Sequence, residues 1–346
     1  MRALIKKAAG VGNLAVVDVP APRPGPGEAL VRIQRAGLCG TDLLVYDGVY
    51  KGRNRPIPYP LVLGHEASGE VVELGAGVTG PAEGTAVAIE AVTGCGACFQ
   101  CVRGRYNLCP DWHHIGLTMA GTLAEFAIVP AASLLPIPAG MSLDAAAFLE
   151  PLATVVNTLE RTRPAPGVPS AILGPGPFGL LHVIALRAAG AGPIVVFGRP
   201  GDESRLAVAS RCGADLAVVA DRASAAAHVA ELTGGAGMGL VIETAGTAEA
   251  VQTALEITSG GGTLATLGLV RQTEIDALQV MRKELTWVGV VASVRRHWAE
   301  AIRLVAAGRL HPETLITHRL PLADAIGGLA ALRAREAVKV MFDVAA

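Results

Sequence analysis

Ala171-Ile172-Leu173-Gly174-Pro175-Gly176-Pro177-Phe178-Gly179 sets a short apolar run directly before a glycine-rich turn. The run predicts a buried strand, and the residues after the turn predict a helix reaching Ala189. Ile194-Val195-Val196-Phe197, followed by a helix near Ser204–Arg211, repeats the unit. Leu240-Val241-Ile242 and Thr263-Leu264-Ala265-Thr266-Leu267 continue it. Such strand-helix alternation predicts an α/β domain with a doubly wound parallel sheet. Gly174, Gly176, Pro177, Phe178 and Gly179 then become candidate cofactor-binding residues, because glycines there let a pyrophosphate approach a helix N-terminus. A glycine-rich turn without ligand is the plainer alternative.

Upstream the pattern differs. Ala3-Leu4-Ile5, Ala15-Val16-Val17, Ala29–Ile33, Gly69–Leu74 and Ala86–Ile89 read as short strands, separated by breakers such as Pro22-Arg23-Pro24-Gly25-Pro26-Gly27. This predicts a β-rich lobe, followed by a helix over Leu143–Arg161. With 346 residues the chain has length for two cores, and two lobes with a cleft are expected. Apolar residues make up 51% of the chain, but Gly and Pro interrupt them too often for a membrane span. The 29 basic residues are scattered and the formal net charge is -1, so no nucleic-acid footprint appears. No secretory signal is visible at Met1–Lys7, which makes the cytoplasm the expected compartment.

Four of the six cysteines, Cys95, Cys98, Cys101 and Cys109, fall in one short segment with Gly94, Gly96 and Gly104 around them. Four thiolates suit the closed tetrahedral site of structural zinc, while an iron-sulfur centre or disulfides are the alternatives. Cys39, in Cys39-Gly40-Thr41-Asp42, and His65, in Gly64-His65-Glu66, each read alone as an ordinary buried residue.

Taken in order, Gly64-His65-Glu66, the cysteine segment, Gly121-Thr122-Leu123-Ala124-Glu125-Phe126, Glu150-Pro151-Leu152 and the glycine loop resemble zinc-dependent medium-chain alcohol dehydrogenases. The likeness is to the sorbitol- and threonine-dehydrogenase branch and covers essentially the whole chain. It implies a β-rich GroES-like catalytic domain over 1–155, a Rossmann domain over 156–295, and a return to the catalytic domain over 296–346. The return comprises helices at Trp298–Ala307 and Leu322–Arg333 and a strand Val338–Phe342. The resemblance further implies two zinc ions per chain, with Cys39, His65 and Glu150 holding the catalytic one and Glu66 a direct or exchangeable ligand. Capping or ion pairing is the alternative role for Glu150. Zinc would act as a Lewis acid on the alcohol. Thr41 would accept the alcohol proton, or serve only as a local cap. Many relatives carry a proton-relaying histidine three residues on, where this chain has Leu44, so water or another group is expected to take the proton.

Cofactor choice turns on the end of the second strand of the alternation. An acidic residue there would accept the ribose hydroxyls of NAD, but the chain reads Phe197-Gly198-Arg199-Pro200-Gly201-Asp202. Gly198 and Arg199 favour NADP, since arginine can bind a 2'-phosphate. Arg199 as a solvated cation and Asp202 reaching the ribose keep NAD open. Secondary alcohols such as polyols, cyclitols, sugars or amino alcohols, or the matching ketones, are the expected small-molecule substrates. Ala292 stands about where sorbitol dehydrogenases carry an arginine, which weakens a sorbitol-type contact. A dedicated ketone reductase and a non-catalytic nucleotide-binding protein are the alternatives in function. Tyr46, Tyr50, His114 and Arg295 are possible cleft residues without an assigned role. Leu285–Val290 resembles the edge strand through which relatives pair, implying a homodimer or homotetramer.

Overall fold

Valine- and alanine-rich runs broken by Gly and Pro form the first part of the chain. A computed structural model describes residues 1–344. Along it run β1 (Arg2–Lys6), β2 (Leu14–Asp18), β3 (Glu28–Gly37), α1 (Gly40–Tyr46), β4 (Leu61–Val62), β5 (Glu66–Leu74), β6 (Ala86–Ile89) and β7 (Val92–Thr93). Then follow α2 (Phe99–Val102), β8 (His113–His114), β9 (Phe126–Pro130), β10 (Leu134–Pro136), α3 (Leu143–Ala147) and α4 (Leu149–Thr162). The single helix expected over Leu143–Arg161 is therefore two. Ser142 caps the first by accepting from the Ala145 N–H at 3.1 Å, and Phe148, fully buried, is its C-cap.

The glycine loop opens the second series. It comprises β11 (Ser170–Leu173), α5 (Pro177–Ala188), β12 (Ile194–Gly198), α6 (Glu203–Arg211), β13 (Leu216–Val219) and α7 (Arg222–Thr233). β14 (Met238–Glu243), α8 (Ala248–Ile257), β15 (Thr258–Thr266), α9 (Ala277–Arg282) and β16 (Thr286–Gly289) complete it. The strands pair in parallel in the order β13-β12-β11-β14-β15-β16. β11 and β12 are buried at every position, as strands covered on both faces must be. α7 shows little apolar periodicity, whereas α8 buries Ala250, Val251, Ala254 and Leu255 at helical spacing, and both carry start signals. Asp221 and Ser224 form a capping box, and Thr247 accepts from the Ala250 N–H.

α10 (Arg295–Ala306), β17 (Ile316–Pro321), α11 (Ala325–Arg333) and β18 (Lys339–Asp343) close the chain. α10 begins earlier than the expected Trp298, and the stretch before α11, Leu322–Asp324, is a separate 3-10 turn. β18 lies antiparallel to β3, so the C-terminal segment completes the sheet β10-β6-β5-β3-β18-β17, with β9 also on β3. By internal contacts the first unit is Met1–Ala153 with Ala292 onward, and the second is Thr154–Val291. The sequence reading sets these junctions after 155 and 295. Among the described residues no helix is long and apolar enough to cross a membrane.

Candidate metal centres and cofactor loop

Cys95, Cys98, Cys101 and Cys109 converge so that their four sulfurs lie within 4.8 Å of one another, and none is in a disulfide. Glycine permits the turn. A Cβ at Gly94 would sit 2.5 Å from Cys101 Sγ and 2.7 Å from Tyr106 Cβ, and Gly96 has φ +78°. Main-chain N–H groups of Cys95 and Asp111 donate to Cys109 Sγ at 3.4 and 3.3 Å. Those of Ala97 and Cys98 lower the Cys95 thiol pKa to about 7. Burial pushes the Cys101 thiol the other way, up to about 12, so the fit to zinc rests on four sulfurs gathered this closely.

The second group is buried. Cys39, His65 and Glu66 also offer donor atoms within 4.8 Å of one another. β3 ends just before Cys39, and β5 begins at Glu66, with Gly37 paired to Glu66 across the two strands. The side chain of Asp42 locks this junction. It accepts from the N–H of Cys39 at 3.0 Å and of Gly64 at 3.3 Å, and lies 3.8 Å from His65 Nδ1. Burial opposes charge on His65, but Cys39 and Asp42 outweigh it and raise the imidazole pKa well above its usual value. On the other side Lys339, itself buried, pairs with Glu66 and donates to Leu38 O at 3.0 Å. Gly37 leaves room for that pair, since a Cβ there would sit 2.6 Å from Glu66 Oε2 and 2.9 Å from Lys339 Cε.

Thiolate, imidazole and carboxylate in one buried cluster fit a metal with an open position. Thr41 Oγ1 lies 3.7 Å from Cys39 Sγ, and its N–H is 3.5 Å from the same sulfur. Glu150, in the first turn of α4, falls outside the 4.8 Å group. Burial pushes its carboxyl up to about 7, His65 pulls it down, and Glu66 adds to the push.

Sequence reasoning passed over Asp42 and Lys339. Asp42 had a signal, because Cys39-Gly40-Thr41-Asp42 has the spacing of a capping box, with cysteine as the cap. Lys339 had none, being joined to Glu66 only by the pairing of β18 with β3. His114, given no role, stands beside His65 with ring centroids 5.0 Å apart, edge to face, and packs likewise on Trp112 at 5.2 Å. Its Nδ1 is 2.6 Å from Ile115 O, and burial lowers its pKa to about 3, so the ring is neutral. Arg295 pairs with buried Glu90 at 2.9 Å, and its main-chain N–H reaches Tyr106 OH, which ties α10 to the cysteine segment.

Residues 25–139 match the alcohol dehydrogenase GroES-like domain, and residues 177–307 match the zinc-binding dehydrogenase model. A sorbitol dehydrogenase of Halalkalibacterium halodurans is 33% identical over 99% of this chain and 98% of its own. This chain belongs to the zinc-binding alcohol dehydrogenases. An L-threonine 3-dehydrogenase of Pyrococcus horikoshii is 34% identical to the dehydrogenase, over 92% of this chain and 91% of its own. Among solved structures, a zinc-binding dehydrogenase of Sinorhizobium meliloti bound to NADP has a TM-score of 0.89 at 32% identity, covering 99% of each chain. An alcohol dehydrogenase of Escherichia coli complexed with NADH has 0.91 at 25%, again over 99% of each. The dehydrogenase is thus an oxidoreductase that moves hydride between an alcohol and a nicotinamide dinucleotide.

In the dehydrogenase the glycine loop joins β11 to α5, with Gly176 as N-cap and Pro177 in the first helical turn. Gly174 has φ +106°, and a Cβ on Gly179 would collide with Gly174 O. Beyond β12, Asp202 is turned into its own loop. It accepts from the Arg199 N–H at 3.1 Å and lies 4.0 Å from Arg205. Arg199 itself is exposed.

Proposed function

We propose that this dehydrogenase oxidises a secondary alcohol of the polyol or amino-alcohol kind at a zinc held by Cys39, His65 and Glu150. A second zinc is held by Cys95, Cys98, Cys101 and Cys109. The buried Cys39, His65 and Glu66 group carries this reading, since a fold kept only for structure has no need of such donors in one place. Zinc at that position supplies Lewis-acid polarisation of the alcohol oxygen. Lys339 already pairs with the Glu66 carboxylate near the group, which suits an exchangeable ligand better than a permanent one. Thr41, beside Cys39, takes the alcohol proton through its hydroxyl. Leu44 provides no ionisable group to pass it on, so water carries it away.

NADP is the proposed cofactor, bound along Gly174, Gly176, Pro177, Phe178, Gly179, Gly198 and Arg199. Asp202 supports this, because a carboxylate engaged with the Arg199 N–H and with Arg205 is less able to accept ribose hydroxyls. A second copy of the chain is the proposed partner at β16. That strand pairs only with β15 among the described residues, and the segment leading to it exposes Ile275, Leu278 and Met281. Six free cysteines suit the reducing cytoplasm.

Metal analysis of the purified protein, followed by an absorbance screen of both cofactors against secondary alcohols, polyols and amino alcohols, tests the reading. Two zincs per chain and turnover with a kcat/KM preference for NADP are expected. Two zincs without turnover on any substrate would favour a nucleotide-binding protein. One zinc removes one of the two metal assignments, and a clear NAD preference removes the role given to Arg199.

A further inference from the structure

Glu243 ends β14 with Leu173 of β11 on one side and Thr266 of β15 on the other. Between β11 and β14 the strand order reverses, and open parallel sheets receive a dinucleotide at that point. Glu243 is completely buried there. Its Oε1 accepts from the Gly246 N–H at 2.6 Å, and its main-chain carbonyl accepts from the N–H groups of Leu267 and Gly268 at 2.9 and 3.2 Å. Oε2 makes no hydrogen bond of ordinary geometry among the described residues, although the N–H groups of Ala245 and Gly268 favour the carboxylate, and it presses on Gly268, where a Cβ would sit only 2.5 Å away. One side chain therefore fills the space that joins the loop after β14 to the loop after β15. Burying a carboxyl this completely, with one oxygen short of a full hydrogen bond, costs free energy that an apolar residue would avoid.

The neighbouring residue faces the other way. Thr244 donates its N–H to Leu173 O at 2.9 Å, and its hydroxyl lies 3.1 Å from both Leu173 O and Gly174 O. Gly174 approaches the same segment so closely that a Cβ would be 2.9 Å from the Ala245 nitrogen. Thr244 thus fixes the glycine loop, and Glu243 fixes the two loops across the switch point.

A doubly wound sheet consists of two mononucleotide halves. The glycine loop belongs to the half built on β11–β13, and the loops after β14 and β15 belong to the other. We propose that Glu243 is a positioning residue for the nicotinamide half of the cofactor, acting through the loops at 245–246 and 267–269, while Thr244 sets the loop that takes the pyrophosphate. This rests on the dinucleotide reading of the glycine loop.

Calorimetric titration of the full protein with the preferred dinucleotide, and separately with the ADP-ribose part of that dinucleotide, tests the division. In Glu243→Ala the dinucleotide Kd should rise on the order of tenfold, while the ADP-ribose Kd stays at the wild-type value. Glu243→Gln keeps an acceptor towards Gly246 and should recover most of the loss. Thr244→Val should weaken both ligands together. Equal weakening of both ligands by Glu243→Ala, or no weakening of the dinucleotide, overturns the proposal. Should that variant fail to fold, Glu243→Asp, too short to reach both loops, carries the same comparison. Wild-type protein that binds neither ligand would overturn the cofactor reading itself, and this inference with it.

Discussion

Cys95, Cys98, Cys101 and Cys109 come from one segment, partly exposed, in which glycine turns and main-chain N–H groups do the arranging. Cys39, His65 and Glu66 come from two segments and are buried, and Asp42, which bridges the two segments, and the remote Lys339 hold them in place. The first cluster is nearly self-sufficient, whereas the second borrows its geometry from the whole domain. The two should therefore fail differently. Cys39→Ala should lower kcat/KM at least about a thousandfold, the scale of several kcal/mol of lost charge stabilisation, with zinc falling from two per chain to one and little change in Tm. Cys101→Ser should also leave one zinc, but lower Tm and spare most of kcat. Loss of turnover in both variants with equal loss of Tm would erase the contrast.

Lys339 sharpens it. Lys339→Met leaves the Glu66 carboxylate buried without its cation, and breaking such a pair costs about 3–5 kcal/mol. Chemical denaturation should show that loss, and the double variant Lys339→Met/Glu66→Gln should regain much of it. Both partners are about 1–2% exposed, so solvent screening gives little relief. A stability change under about 1 kcal/mol, the range of a surface pair, would mean that Glu66 does not depend on Lys339.

The same contrast explains what could be read from the residues alone. The cysteine segment announced itself because its whole architecture lies in consecutive sequence. So did β11 and β12, and Leu240–Ile242 within β14, whose apolar runs are uninterrupted because both faces are covered. Cys39 and His65 were legible only in combination with other motifs, since a single buried cysteine and histidine carry no pattern. Lys339 was invisible, being one lysine in an apolar strand whose register against β3 no local signal fixes. The break at Phe148 escaped notice because apolar and acidic residues continue at helical spacing through it.

Asp42 offers the finest test of how the buried cluster is held, because nothing in the cysteine segment corresponds to it. One carboxylate meets the main chain at Cys39 and at Gly64, directly before His65, and it also faces the imidazole. Asp42→Asn keeps one carbonyl oxygen for the N–H of Cys39, so α1 should retain its start. It loses the second acceptor and the negative charge that orients His65 and raises its basicity. Loss of such an outer partner weakens metal affinity or activity by about 10–100-fold. The effect should be confined to one ion. Competition with a zinc-binding dye should show one site weakened and the four-cysteine site unchanged, with Tm close to wild type. Weakening of both sites, or of neither, would break the distinction between a centre held by its own segment and one held by its surroundings.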